Sequence, residues 1–134
     1  MKRLEIEARL ENLDAVTAFV DEQLESVDCP MKTQMQIDLS LEEIFVNIAH
    51  YAYTPEVGMA VIETEVSKGK AKMIFYDRGV PYDPLAKEDP DITLSAQERA
   101  IGGLGIFMVK KSMDNVEYEY RDGQNILTLE KNWG

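Results

Sequence analysis

Glu43 and Asn47 stand four residues apart within Leu41–Tyr53, where Leu41, Ile44, Phe45, Ile48 and Ala52 recur at helical spacing. On a helix, residues at i and i+4 share a face, which places the carboxylate beside the carboxamide at the edge of the apolar stripe. Together they can do two jobs. A carboxylate accepts a proton from a hydroxyl or water, and an amide oxygen ligates a hard cation such as Mg²⁺. The same pair also fits an ordinary solvated helix face.

Two further groups have chemical potential. Asp77-Arg78-Gly79 ends an apolar alternating run. A carboxylate there can accept from an exocyclic amine, while the glycine lets a flat ring lie close; an ordinary strand-ending turn has the same composition. Gly102-Gly103-Leu104-Gly105 opens an apolar run through Ile106, Met108, Val109 and Met113. A helix start offers unpaired N–H groups and the positive end of the helix dipole, both suited to phosphate, and glycine removes Cβ atoms from the approach. A flexible turn is the alternative. The run lacks the Lys-Ser/Thr of a P-loop and does not follow a strand as a dinucleotide fingerprint does.

The elements that must position these groups follow from periodicity. Residues 3–9 alternate as a half-buried strand. Asn12 is expected to cap a first helix with Leu13, Val16, Phe19, Val20 and Leu24 on its inner face, and with Asp21, Glu22 and Glu25 solvated. Asp28-Cys29-Pro30 breaks that helix, with Pro30 in the first turn of a second that runs to about Tyr53. Strands are expected at 59–66 and 71–76 around Ser67-Lys68-Gly69-Lys70, and at 115–121 and 125–131 around Asp122-Gly123. Trp133 reads as a packing residue at the sheet end. Val80–Ile101 carries Pro81, Pro84 and Pro90 without periodicity, the signature of a long functional loop such as a lid. The order β-α-α-β-β-lid-α-β-β predicts an α+β fold, a two-layer α/β sandwich with a mostly antiparallel sheet and helices on one face.

Composition narrows the function classes. The 134 residues suit one domain, 1–134, with a single core. A net charge of −11, from 25 acidic and 14 basic residues, argues against direct nucleic-acid binding or an anionic membrane surface. It fits a nucleotide carried with a cation, or a protein with a basic patch. Cys29 is the only cysteine, so neither an intramolecular disulfide nor a thiolate zinc site can form. With no signal peptide and no apolar run of spanning length, a cytoplasmic location is expected.

Taken in order, Glu43-x-x-x-Asn47 on a helix, Asp77-x-Gly79 after a strand, a long lid and Gly102-Gly103-Leu104-Gly105 entering a helix resemble the nucleotide site of the GHKL (Bergerat-fold) ATPase and kinase superfamily. The runs Asp77–Pro84 and Ile101–Ile106 look most like those of bacterial anti-sigma-factor serine/threonine kinases. The resemblance implies ATP (or ADP) with Mg²⁺ as ligands. It implies Glu43 as general base, Asn47 as Mg²⁺ ligand, Asp77 as the group that fixes the adenine amine, and Gly79 as the residue that lets the base approach. Gly103, Leu104 and Gly105 would hold the phosphates, and Arg99 would reach the γ-phosphate from the end of the lid. Where relatives carry a His four residues after the metal-ligating Asn, this chain has Tyr51; His50, its only histidine, reads as a helix-surface or groove residue.

The implied activity is phosphorylation of a serine or threonine on an anti-anti-sigma (STAS-type) partner, with a sigma factor as a further partner and a homodimer as the assembly the resemblance suggests. The competing reading is a non-catalytic, nucleotide-gated interaction module of the same fold. Glu43 favours the kinase, since a pure binder needs no base there.

Overall fold

Alternation of buried and exposed side chains builds the sheet. The computed structural model describes residues 1–52, 57–81, 83–86 and 103–133. Among these, five strands form: β1 (Lys2–Glu7), β2 (Met59–Ser67), β3 (Lys70–Asp77), β4 (Asn115–Arg121) and β5 (Gln124–Asn132). They lie in the order β1-β2-β3-β5-β4, and every neighbouring pair is antiparallel. Both expected hairpins close through left-handed backbone, with Gly69 at φ +83 and Asp122-Gly123 at φ +55 and +77. Gly69 has a second constraint: a Cβ there would meet the Trp133 carbonyl oxygen at 3.0 Å. That carbonyl belongs to the residue whose N–H donates to Gly69 O at 2.9 Å, locking the sheet end.

Among the described residues three α-helices cover one face: α1 (Leu13–Ser26), α2 (Met31–Asn47) and α3 (Gly103–Ser112). Val20 and Leu24 of α1, Leu41 and Phe45 of α2 and Val109 of α3 meet Ile62, Met73, Phe75 and Leu129 in one core. The fold is therefore the expected α+β sandwich, its sheet wholly antiparallel among the described strands. Thr64 is buried in this core and donates to Gln23 Oε1 at 2.7 Å, and Gln23 Nε2 donates to Phe19 O at 3.0 Å. Both polar groups are thereby satisfied. The C-terminal end of α3 is tied to β5, with Lys131 Nζ donating to Ser112 O at 2.6 Å and the Asp114 N–H to Glu130 O at 2.9 Å.

Several expectations about helix ends need correction. Asn12 occupies the N-cap position without capping; its Nδ2 instead donates to Glu7 O at 2.9 Å, fastening α1 to the end of β1 behind a 3₁₀ turn at Leu10–Asn12. Pro30 is the N-cap of α2 at ψ 143 rather than a residue of its first turn. The break before it has a clear cause. Asp28 takes φ +56, its N–H donates to Glu25 O at 3.2 Å and the Cys29 N–H to Leu24 O at 3.1 Å, the paired bonds that end a helix through a left-handed residue. At its other end α2 does not continue as α-helix to Tyr53. The winding widens to a π turn at Ile48–Ala52, and Tyr53 lies outside the described residues, as do residues 82 and 87–102, which hold most of the expected lid.

The acidic side of α1 is not simply solvated. Asp21 Oδ1 and Asp38 Oδ1, on facing α1 and α2, are buried without a donor. Two carboxylate oxygens cannot satisfy one another unless one carboxyl keeps a proton. Burial first, then Asp21 beside it and Glu25 further off, pushes the Asp38 carboxyl up to about 8. Since the folded state holds this proton more tightly than the unfolded chain, its stabilising effect is complete below the ordinary aspartate range near 4 and is lost as pH rises through 8. Thermal unfolding between pH 5 and 9 should therefore show Tm falling with pH in the wild type, and a flatter profile in Asp38→Asn.

Candidate functional site

Register brings the site together. Asp77 closes β3 with its side chain on the buried face, and Asn125 of β5 lies directly opposite it. The Gly79 N–H donates to Asp77 Oδ1 at 3.0 Å, a tight turn that carries the chain out of the strand. Asn125 Nδ2 donates to the same oxygen at 2.9 Å and to Val80 O at 2.9 Å, while the Tyr118 hydroxyl donates to Asn125 Oδ1. Both amide hydrogens and the amide oxygen of Asn125 are thus used. Oδ1 of Asp77 receives two donors, which fixes the rotation of the carboxylate and leaves Oδ2 to accept from a ligand. Burial lifts the Asp77 carboxyl above its ordinary value, and the bonds from Asn125 and Gly79 pull it back.

Around this network lies a pocket between α2 and the sheet. Its walls are Ile44, Ile48, Phe75, Val80, Pro84 and Leu127, and its polar groups are Asn47, Asp77, Tyr118 and Asn125. Apolar walls with a few convergent polar atoms suit a flat heteroaromatic ring carrying one donor. The site residues expected from sequence separate accordingly. Asn47 and Asp77 share the pocket, and Gly79 shapes the Asp77 carboxylate. Glu43 stands one helical turn before Asn47, half-buried and outside the pocket lining. Burial, then repulsion from Glu42, raises its carboxyl, which strengthens it as a base. Gly103, Leu104 and Gly105 form the first turn of α3. Arg99 lies outside the described residues.

His50 is exposed on the π turn beside a shallow groove with Leu10, Ala49 and Val57, consistent with a groove residue. Among the described residues no three His, Cys, Asp or Glu side chains gather to hold a metal. The polar lining of the pocket holds the Asn47 carboxamide and the Asp77 carboxylate, one oxygen of which already accepts from Gly79 and Asn125, so the protein offers few hard oxygens there. That donor set fits Mg²⁺ arriving with phosphates, an ion that keeps most of its shell as water and ligand oxygen. No described helix is long and apolar enough to cross a membrane.

Asn125 and Tyr118 were not legible as site residues. They belong to different strands, and only the pairing of β5 with both β3 and β4 brings them to Asp77.

Comparison with known proteins places this geometry. The histidine kinase-like ATPase domain matches residues 6–131. The serine/threonine-protein kinase BtrW of Bordetella bronchiseptica is 27% identical over 99 residues, 73% of this chain and 70% of that protein. The serine-protein kinase RsbW of Bacillus cereus is 25% identical over 93 residues, 66% of this chain and 58% of that protein. Of solved structures, the RsbU and RsbW domains of Rv1364c from Mycobacterium tuberculosis superpose with TM-score 0.67 at 17% identity. That match covers 98% of this chain and only 32% of the other. The histidine kinase domain of the blue-light activated kinase from Erythrobacter litoralis EL346 gives 0.53 at 14% identity, over 90% and 60% of the two chains. At these identities the structural likeness is one of fold.

The buried network predicts its own cost of disruption. Asn125→Ala leaves the Asp77 carboxylate and the Val80 carbonyl short of a donor, and should destabilise the fold by about 1–3 kcal/mol. Urea unfolding measures this, with Tyr118→Phe expected to cost less because it removes one hydroxyl and leaves the Asp77 bonds in place.

Proposed function

This chain belongs to the histidine kinase-like ATPase domain family, and on that premise we propose that it is a regulatory protein kinase that uses Mg²⁺-ATP to phosphorylate a serine or threonine of an anti-anti-sigma (STAS-type) partner. The observation that carries the proposal is that Glu43 precedes Asn47 by one turn on α2, and that Asn47 and Asp77 both line one pocket with largely apolar walls. The names of the relatives, serine and serine/threonine kinases, support it.

In this reading residues 1–134 act as one nucleotide-binding domain. Adenine lies between Ile48, Phe75 and Leu127 and donates its exocyclic amine to Asp77, with Gly79 giving the ring room. ADP would bind through the same contacts. Guanine presents an acceptor at that position and would face the carboxylate unfavourably. Asn47 would hold Mg²⁺, which would supply charge neutralisation to the phosphates. Gly103, Leu104 and Gly105, at the start of α3, would cradle the phosphates with backbone N–H groups, and Arg99 would contact the γ-phosphate.

Phosphoryl transfer is mainly a matter of positioning and charge neutralisation. Glu43 takes the proton of the acceptor hydroxyl as that oxygen bonds to the γ-phosphorus. The bond from the γ-phosphorus to the β,γ-bridging oxygen breaks, and ADP leaves with that electron pair. A carboxylate lifted by partial burial suits this task better than a fully solvated one. The phosphorylated partner would then release the chain to hold a sigma factor, with the chain acting as a homodimer.

Glu43→Gln separates chemistry from binding. With γ-labelled ATP, Mg²⁺ and a purified STAS-domain protein encoded beside this chain, the wild type should label the partner. The variant should lose transfer by a factor of about 10² or more while retaining nucleotide. Equal labelling by both proteins would remove Glu43 from the mechanism. No labelling, with nucleotide still bound, would favour the nucleotide-gated interaction module.

A further inference from the structure

Helix α2 carries exposed apolar side chains that neither the core nor the pocket uses. Met31 is 80% exposed, Met35 59% and Leu39 61%. They are spaced by four, and the same spacing continues through Glu43 to Asn47. These five residues form a single i±4 ridge of the helix. Because a turn takes 3.6 residues, each step along the ridge rotates by roughly 40° about the helix axis. The ridge therefore begins in full solvent at Met31, becomes half-buried at Glu43 and enters the pocket lining at Asn47. From Met31 to Glu43 it spans roughly 18 Å, and Leu39 precedes Glu43 by only about 6 Å.

Three large apolar side chains in a row on one exposed helix face mark an interaction surface rather than scattered surface residues. Methionine, unbranched and polarisable, adapts to a partner's contour. The surroundings define that partner. Glu42 is exposed at the Glu43 end, and Glu25 of α1 flanks the ridge, its carboxylate accepting from Gln34 Nε2 at 3.3 Å. Lys32 is the cation at the far end. With a net charge of −11 on the chain, the complementary surface is apolar with basic residues at its rim.

We infer that the Met31–Met35–Leu39 ridge is the docking surface for the protein substrate, and that it sets the acceptor hydroxyl against Glu43 through an apolar, basic-rimmed patch beside the phosphorylated residue. The inference rests on the kinase reading above and adds the surface that selects the substrate. Docking along α2 and proton abstraction at Glu43 then share one rigid element, so that the register of the partner on the ridge fixes the distance from its hydroxyl to the base.

The test is the double variant Met31→Gln/Met35→Gln, both sites being exposed enough to change without disturbing the core, assayed beside Met35→Leu. The probe is the purified STAS-domain protein encoded beside this chain, used in both steady-state labelling and direct calorimetric binding. The expected result is a KM for the protein substrate raised about tenfold or more, with kcat and the nucleotide-induced shift in Tm unchanged and Met35→Leu close to wild type. Labelling and binding of the partner unchanged in the double variant would overturn the ridge while leaving the kinase intact. A wild type that binds nucleotide but neither labels nor binds the partner would overturn both the kinase reading and the ridge. A wild-type dimer that the double variant converts to monomer in light scattering would assign the ridge to a second copy of the chain and equally overturn the inference.

Discussion

The carboxylate of Asp77 is the constraint on which the site depends. It is buried at the end of a central strand, where an unsatisfied charge would be costly, and it is tolerated because Gly79 and Asn125 both donate to one of its oxygens. Those two bonds do more than stabilise. They fix the rotation of the carboxylate by engaging the same oxygen from two sides. They also join three elements, since the turn after β3, strand β5 and, through Tyr118, strand β4 are all held in register by one carboxylate. A pocket floor made this way is set by the sheet itself and does not wait for a ligand to form it.

The other wall is α2, the helix that in the proposed reading would serve both a nucleotide and a protein. Its inner stripe of Ile37, Leu41, Ile44 and Phe45 anchors it to the core. The slow rotation of the i±4 ridge then carries polar and apolar side chains from solvent into the pocket along a single rigid body. The π turn that follows Asn47 changes the winding at the point where the helix leaves the pocket. Such turns occur frequently at functional sites because they re-aim the following residues without ending the helix.

Much of this was legible in the sequence, for reasons that can be named. Strands β2 and β3 were visible because buried and exposed side chains alternate along them, and the turns of both hairpins because Gly69 and Gly123 stand where left-handed backbone is required. The Glu43–Asn47 pair and Asp77-x-Gly79 were visible because each is local, set by one helical turn or one strand end. Asn125 and Tyr118 were not, because their importance is a matter of cross-strand register that no window of sequence contains. Asp38 was missed, and Asp21 read as solvated, for the same reason: their meeting depends on how α1 lies against α2. Helix ends were read least well. Asn12 had a local alternative in the Glu7 carbonyl, and neither the N-cap position of Pro30 nor the change of winding at Ile48 has a distinctive residue signature.

The central claim is that Asp77 and Asn47 form a Mg²⁺-nucleotide site, and thermal unfolding tests it most directly. A ligand that binds only the folded state raises stability by roughly 2.7 kcal/mol at a hundred times its dissociation constant. Tm should rise with ATP and more so when Mg²⁺ is present, with the rise lost in Asp77→Asn and its Mg²⁺-dependent part lost in Asn47→Ala. No rise with ATP or ADP in the wild type, or an equal rise in Asp77→Asn, would contradict that claim.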